Sequence, residues 1–382
     1  MPDLLRQEVV AAATTIVVKV GTRVLTNADG SLSNECIARL AGEVNELIES
    51  GRRVVLVSSG AVGAGVSLLG LDRRPADLAR LQAVAAVGQT HLIEAYDRTF
   101  RTHGRRAAQV LLTAGDLDNR TRYLNVRNTL LALLEMGAVP VINENDTVAV
   151  DELMATFGDN DRLAALVTNL LRAPLLVILS DVDGVYDGDP ANPQSRVVPT
   201  VATFDEAVFA WARDTKTGLT KGGMASKLQA ARTATAAGEN VIIASGHKPG
   251  VLARIAAGEV VGTLLIAEGK SLSPWKRWIG FSAQPRGRVV IDDGACRAIA
   301  LQGRSLLAIG VVAVEGAFNK GDVVSLADPS GVEIARGLVN YSAAELALIK
   351  GRKSSEITGV LGHLPYEEVI HRDNLLVIGR IT

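Results

Sequence analysis

The chain has 382 residues, 48% of them hydrophobic and 21% charged, and its 40 basic side chains face 41 acidic ones for a formal net charge of −1. That balance excludes a disordered polypeptide, and near-neutrality gives no global drive toward nucleic acid or an anionic membrane. The length predicts two or three domains, and two distant cysteines, Cys36 and Cys296, without a CxxC or Cys/His cluster speak against structural zinc and for a reducing compartment.

Asp3, Arg6 and Glu8 interrupt the N-terminal stretch, so no secretory signal is expected. The longest uncharged run, Val54 to Leu71, is broken by glycines and serines and reads as strand, loop and helix start, not as a membrane span. The expected location is the cytoplasm.

From Thr15 to about Ala267, short β-branched runs alternate with longer amphipathic stretches. The predicted strands are Ile16–Val20, Val54–Val57, Ala108–Leu112, Val139–Asn143, Leu175–Leu179 and Val241–Ala244. Their near-continuous apolar character suits parallel strands buried on both faces. Between them, Ile37, Leu40, Ala41, Val44, Leu47 and Ile48 fall on one helical face, with Gly51 as the stop. A second helix is capped by Asn119 and ends at Gly137, and a third, alanine-rich, runs from Gly223 to Ala237. Strand–helix alternation predicts a doubly wound, mainly parallel α/β sheet with ligands at the C-terminal strand ends.

After Gly269 the texture changes. Trp275 to Phe281 reads as a linker or domain edge. Short strand candidates follow at Gly287–Ile291, Leu306–Val314, Asp322–Leu326, Glu333–Val339 and Leu375–Ile378, with turn signals such as Asp293-Gly294 between several of them. This predicts a small, mostly β domain.

The chemistry is expected at the strand ends. Lys19 closes the first strand, well placed for an anion, although an exposed strand-end lysine is the plain alternative. The second strand runs into Ser58-Ser59-Gly60-Ala61-Val62-Gly63-Ala64-Gly65, where glycines let backbone N–H groups approach a ligand and a helix begins; a tight packing turn is the alternative. Asn143-Glu144-Asn145-Asp146 and Gly158-Asp159-Asn160-Asp161 form two acidic, amide-rich loops suited to an ammonium group or to ordering cations, and the second also suits helix capping. Ser180-Asp181 follows another strand, and Lys221-Gly222-Gly223-Met224-Ala225-Ser226-Lys227 enters the alanine-rich helix. Two glycine-cradled helix starts with lysines in one crevice suggest a bridge between a polyphosphate and a second anion. No G-x-x-x-x-G-K-[ST] or G-x-S-x-G motif occurs, and the five histidines read as structural or surface residues.

The segments VVKVGT, VSSGAVGAG, INENDTVA, GDNDRLAAL, LSDVDGVYDGDP and GGMASK resemble, in this order, the glutamate 5-kinases of the amino acid kinase family. The tail GRVVIDDGACRAIALQGRSLLAIGVVAVEGAFNKGDVV is similar to a PUA domain. The resemblance implies a kinase domain over residues 1–270, a linker over 271–280 and a PUA-type domain over 281–373. It implies ATP-dependent phosphorylation of the L-glutamate γ-carboxylate, the first step of proline synthesis, by in-line transfer. Lys19 and Lys227 match the two catalytic lysines, and Asp161 the aspartate that orients them. Ser59, Asp146 and Asn160 match glutamate-binding positions, with Gly60, Asn143 and Asp159 beside them. Lys19, Ser180, Asp181 and the stretch Lys221, Gly222, Gly223, Met224, Ala225, Ser226 and Lys227 match the nucleotide side. Thr220-Lys221 stands where the family usually has Gly-Thr, and the loop from Asp146 to Gly158 is slightly longer than usual. The resemblance implies Mg²⁺ as cofactor, held mainly by the ATP phosphates, with no metal site built from the chain's own ligands. Further implications are a homo-oligomer (dimer or tetramer), proline as feedback inhibitor and a reductase that consumes the product. The PUA-type tail is neither conspicuously basic nor aromatic, so a structural or regulatory role is weighed above RNA binding. Rival acceptors on the same fold are aspartate, N-acetylglutamate, carbamate and UMP.

Overall fold

The computed structural model describes residues 3–27, 29–149, 160–204, 208–209, 211, 223–268, 273–362 and 366–378. The chain divides into two compact units, Met1–Leu117 with Thr121–Ser271, and Asp118–Arg120 with Leu272–Thr382. Among the described residues no helix is long and apolar enough to cross a membrane.

The elements of the first stretch, in chain order, are α1 (Leu4–Ala12), β1 (Thr15–Val20), α2 (Thr22–Leu25), α3 (Asn34–Glu49), β2 (Arg53–Val57), α4 (Ala61–Leu68), α5 (Leu78–Thr102), β3 (Ala107–Leu112), α6 (Ala114–Asp118), α7 (Arg120–Glu135), β4 (Val139–Glu144), α8 (Asp161–Leu171), β5 (Leu175–Ser180), β6 (Thr200–Val201), α9 (Met224–Ala236), β7 (Asn240–Ser245), α10 (Val251–Ala256) and β8 (Thr263–Leu265). All six predicted strands are present, each displaced by no more than a residue at either end. With β6 and β8 they form one eight-stranded sheet in the order β3-β4-β2-β1-β5-β7-β8-β6, parallel except for the β7–β8 pair. The sheet is thus mainly parallel, as the alternation of elements requires. The short β6 and β8 are too brief for a sequence period to reveal them.

The centre of the sheet is dry because its strands carry apolar side chains on both faces. All six residues of β1 and all six of β5 are buried. Ile37, Leu40, Ala41, Val44 and Leu47 bury the predicted face of α3 against this sheet, and Ser33 caps the helix by accepting from Cys36 N. Helices α4 and α5 approach so closely that a Cβ on Gly88 would stand 1.8 Å from the Ala61 carbonyl oxygen, and one on Gly65 1.9 Å from that of Val84. Only glycine fits there, and the close crossing fixes the helix that begins at Gly60.

Arg6 is an exception to the rule that arginine stays wet. It is 1% exposed, and burial lowers its guanidinium from the ordinary value. Its Nη1 donates to Val261 O at 2.7 Å, and its Nη2 to Pro199 O at 2.5 Å and Gly262 O at 3.1 Å. It ties α1 to the backbone around β6 and β8. Arg6→Ala is expected to lower unfolding stability by about 2–4 kcal/mol in urea titration, because it strands buried carbonyls and leaves a cavity.

The second unit contains α11 (Pro274–Arg277), a π-helical turn at Trp278–Ser282, β9 (Gly287–Ile291), α12 (Asp293–Gln302), β10 (Val311–Gly316), β11 (Val323–Ala327), β12 (Glu333–Leu338), α13 (Ala343–Ile349), α14 (Ser354–Leu361) and β13 (Leu375–Val377). Its sheet runs β10-β9-β11-β12-β13, antiparallel except for β9 beside β11. Two readings change here, and a third gains detail. The Leu306–Val314 run is not one strand: a 3₁₀ turn at Ala308–Gly310 precedes β10. Asp293-Gly294 opens α12 and is not a hairpin turn, because the preceding Asp292 accepts from Ala295 N as the N-cap. The Trp275–Phe281 stretch is helical, with Trp278 buried and stacked on Trp275 at 5.5 Å.

Candidate active site

Strand β1 lies between β2 and β5, where the direction of strand succession reverses. In open α/β sheets the ligand crevice lies outside the carboxyl ends at such a point. Register brings the predicted residues to this one end. Lys19 pairs with Val57 and Ile178, Val57 with Ile142, and Ser180 with Ser245. The residues following β2, β4 and β5 therefore surround the Lys19 end of β1.

At the centre are three charged groups. Asp161, the first residue of α8, places Oδ1 2.6 Å from Lys19 Nζ and Oδ2 3.2 Å from Lys227 Nζ. Their exposures are 0%, 1% and 7%. Three charges so far from water need compensation, and Asp161 supplies one carboxylate to both ammonium groups. The lysines come from opposite sides: Lys19 on β1, and Lys227 in the first turn of α9.

Beside this triad lies a polar network. Asn160 occupies the cap position of α8 but makes no side-chain cap bond. Its Nδ2 instead donates to Ser58 O at 2.5 Å and Asn143 Oδ1 at 2.6 Å, with Ser59 Oγ at 3.4 Å. The capping reading of this residue is thus replaced by cross-linking of two strand ends, those of β2 and β4. Among the described residues, Asn160 Oδ1 is buried without a hydrogen-bond partner. A buried acceptor left open costs free energy unless a ligand donor satisfies it. Asn143 is oriented in turn by Gln89, whose Oε1 accepts from Asn143 Nδ2 at 2.5 Å. Gly60 holds φ +101°, a left-handed conformation that permits the sharp entry into α4. Asp146 is half-buried in the turn after β4; burial lowers the Arg74 guanidinium, and the charge of Asp146 opposes that shift.

The opposite side of the crevice is built at the end of β5. Ser180 Oγ donates to Asp181 Oδ1 at 3.0 Å, and Arg23 Nη1 donates to Oδ2 at 2.8 Å. Burial would raise the Asp181 carboxyl, but these donors outweigh it and hold it below the ordinary carboxylate value. Gly223 precedes α9 with no side chain to cap it, and Met224, Ala225 and Ser226 form the first turn with Lys227. An uncapped helix start is a ready anion site. Asp159, Lys221 and Gly222, with the Thr220-Lys221 departure and residues 150–158 of the lengthened loop after Asp146, lie outside the described residues.

Two participants were not singled out by sequence motifs. Gln89 stands among the apolar residues Ala85, Leu92 and Tyr96 on the inner face of α5, and a polar residue in that stripe is a usable signal. Arg23 carries none, because its role comes from a contact with Asp181, 158 positions away.

Residues 14–245 match the amino acid kinase family, and residues 287–361 match the PUA domain. The fold, the switch-point crevice and this match define a kinase. A glutamate 5-kinase from Rhodopirellula baltica is 49% identical over 373 residues, covering 98% of this chain and 96% of that protein. One from Thioalkalivibrio sulfidiphilus is 49% identical over 363 residues, covering 95% and 96%. The chain belongs to the glutamate 5-kinase branch of the amino acid kinase family.

Proposed function

We propose that the protein transfers the γ-phosphoryl group of ATP to the side-chain carboxylate of L-glutamate, giving L-glutamyl 5-phosphate for proline synthesis in the cytoplasm. The observation that carries this reading is Asp161 joining Lys19 and Lys227 beside the buried Asn160–Asn143–Ser59 network. The names of the full-length relatives support the choice of acceptor.

The attacking carboxylate and the γ-phosphate are both anions. At ~4 Å, two unit charges repel by roughly 4 kcal/mol at an effective dielectric of 20. The chain must offset that repulsion and hold the groups in line. Lys19 contacts the transferring phosphoryl oxygens from the acceptor side. Lys227 meets the charge that develops on the leaving β-phosphate. Asp161 keeps both ammonium groups in position. Asp146 and the open Asn160 Oδ1 suit the α-ammonium of glutamate, and Gly60 and Ser59 border its carboxylates. Ser180, Asp181 and the start of α9 receive the nucleotide. No general base is needed, because a carboxylate is already ionised near neutral pH. The nucleotide would enter as its Mg²⁺ complex, and the ion would supply charge neutralisation at the phosphates. That fits a crevice whose central carboxylate, Asp161, is engaged by two lysines.

The test is ADP release with MgATP and L-glutamate, coupled to hydroxamate trapping of the acyl phosphate. L-aspartate, N-acetyl-L-glutamate, carbamate and UMP run in parallel, with Lys19→Ala as the control. The expected result is hydroxamate from glutamate alone, reduced about 10²–10³-fold in the variant. Turnover of another acceptor instead of glutamate would overturn the assignment.

A further inference from the structure

The loop between β7 and α10, residues 246–250, runs past the carboxyl end of β5 and is held from both sides. Toward β5, Gly246 N–H donates to Ser180 O at 2.8 Å, and Lys248 Nζ pairs with Asp183 at 2.7 Å. On the other side stands α3. Arg39 Nη2 donates to Gly246 O at 2.6 Å, and Nη1 to Glu43 Oε1 at 3.0 Å and Lys248 O at 3.4 Å. Glu43 Oε1 also accepts Gly250 N–H at 3.0 Å, and Oε2 accepts Leu252 N–H at 2.9 Å.

These restraints are not equal. Asp183 and Lys248 are 42% and 50% exposed, and an exposed pair contributes little. Glu43 is 7% exposed, and its carboxylate accepts from a guanidinium and two backbone N–H groups. Charge-assisted bonds of that kind in a dry setting are the strong ones. An i,i+4 ion pair on a helix is ordinarily a surface ornament worth a few tenths of a kcal/mol. Here both members reach across to a single loop, and that loop supplies the N–H that fixes the Ser180 carbonyl.

We propose that Arg39 and Glu43 are positioning residues for the nucleotide. They clamp the β7–α10 loop, and through Gly246 they hold the Ser180–Asp181 turn where the nucleotide binds. The proposal rests on the reading of that turn as the nucleotide side of the site. Its consequence is selective: loosening the clamp weakens MgATP binding and leaves the glutamate side, built on β2, β4 and α8, unchanged.

The test compares wild type with Glu43→Gln, Arg39→Ala, Arg39→Lys and Lys248→Ala. MgATP affinity is measured by isothermal titration, KM for MgATP and for glutamate by steady-state assay, and Tm by calorimetry. Glu43→Gln and Arg39→Ala are expected to raise both Kd and KM for MgATP about tenfold or more, with KM for glutamate within about twofold, since bonds to charged groups are the larger ones lost. Arg39→Lys, which keeps charge but loses the planar fork, is expected to fall between. Lys248→Ala is expected to change MgATP affinity by less than about threefold. Unchanged MgATP affinity in Glu43→Gln and Arg39→Lys, or equal losses for glutamate and MgATP, overturns the proposal. Failure of the wild type to bind MgATP would instead remove the nucleotide reading on which it stands.

Discussion

Asp161→Asn is expected to lower turnover by about 10³-fold, at the upper end of what removal of a preorganised electrostatic group costs. The substitution keeps shape and hydrogen-bonding capacity but removes the carboxylate that bonds both Lys19 and Lys227, at 2.6 and 3.2 Å. Two buried ammonium groups would then face each other without their shared counter-charge. Each would turn away from the crevice or take up another partner, and the alignment of the two anionic reactants would be lost. Stability should fall as well, by about 3–5 kcal/mol, the usual consequence of breaking a buried ion pair from one side. Turnover by coupled ADP release and unfolding by urea titration separate the two effects. A variant that retains turnover within tenfold of wild type would remove Asp161 from the mechanism.

Asn160→Ala should act on the acceptor and not on the nucleotide. Its amide joins the Ser58 carbonyl to Asn143 and approaches Ser59, and its buried Oδ1 has no hydrogen-bond partner among the described residues. Loss of a hydrogen bond to a charged group costs about 1.5–3 kcal/mol, so KM for glutamate should rise roughly 10- to 150-fold. KM for MgATP should stay within about threefold, because Ser180, Asp181 and α9 are untouched. Steady-state kinetics with each substrate varied in turn gives the answer. Parallel rises in both constants would mean that Asn160 supports the fold generally and not the acceptor pocket.

The first unit is legible in the sequence, and the reason is physical. Strands such as Thr15–Val20 and Leu175–Ser180 are apolar throughout because they are covered on both faces, and α3 shows its buried face at helical spacing. The second unit was less readable. Asp292 caps α12 where Asp293-Gly294 resembles a turn, and the same residue types serve both ends. The 3₁₀ turn at Ala308–Gly310 is too short to break the apolar run around it.

The site divides in the same way. Lys19, the Ser58–Gly60 turn, Asn143, Asn160, Asp161, Ser180 and Lys227 announce themselves as polar or glycine residues at the ends of apolar strands or the starts of helices, a pattern written along the chain. Their pairing is not. That Asp161 serves two lysines from β1 and α9, that Asn160 leaves its helix uncapped to join β2 and β4, and that α3 holds the β7–α10 loop through Arg39 and Glu43 all depend on contacts between distant elements. Periodicity and local propensity act within a few residues along the chain. A hydrogen bond or ion pair acts within a few ångströms in space, and only the folded sheet brings those residues within that distance.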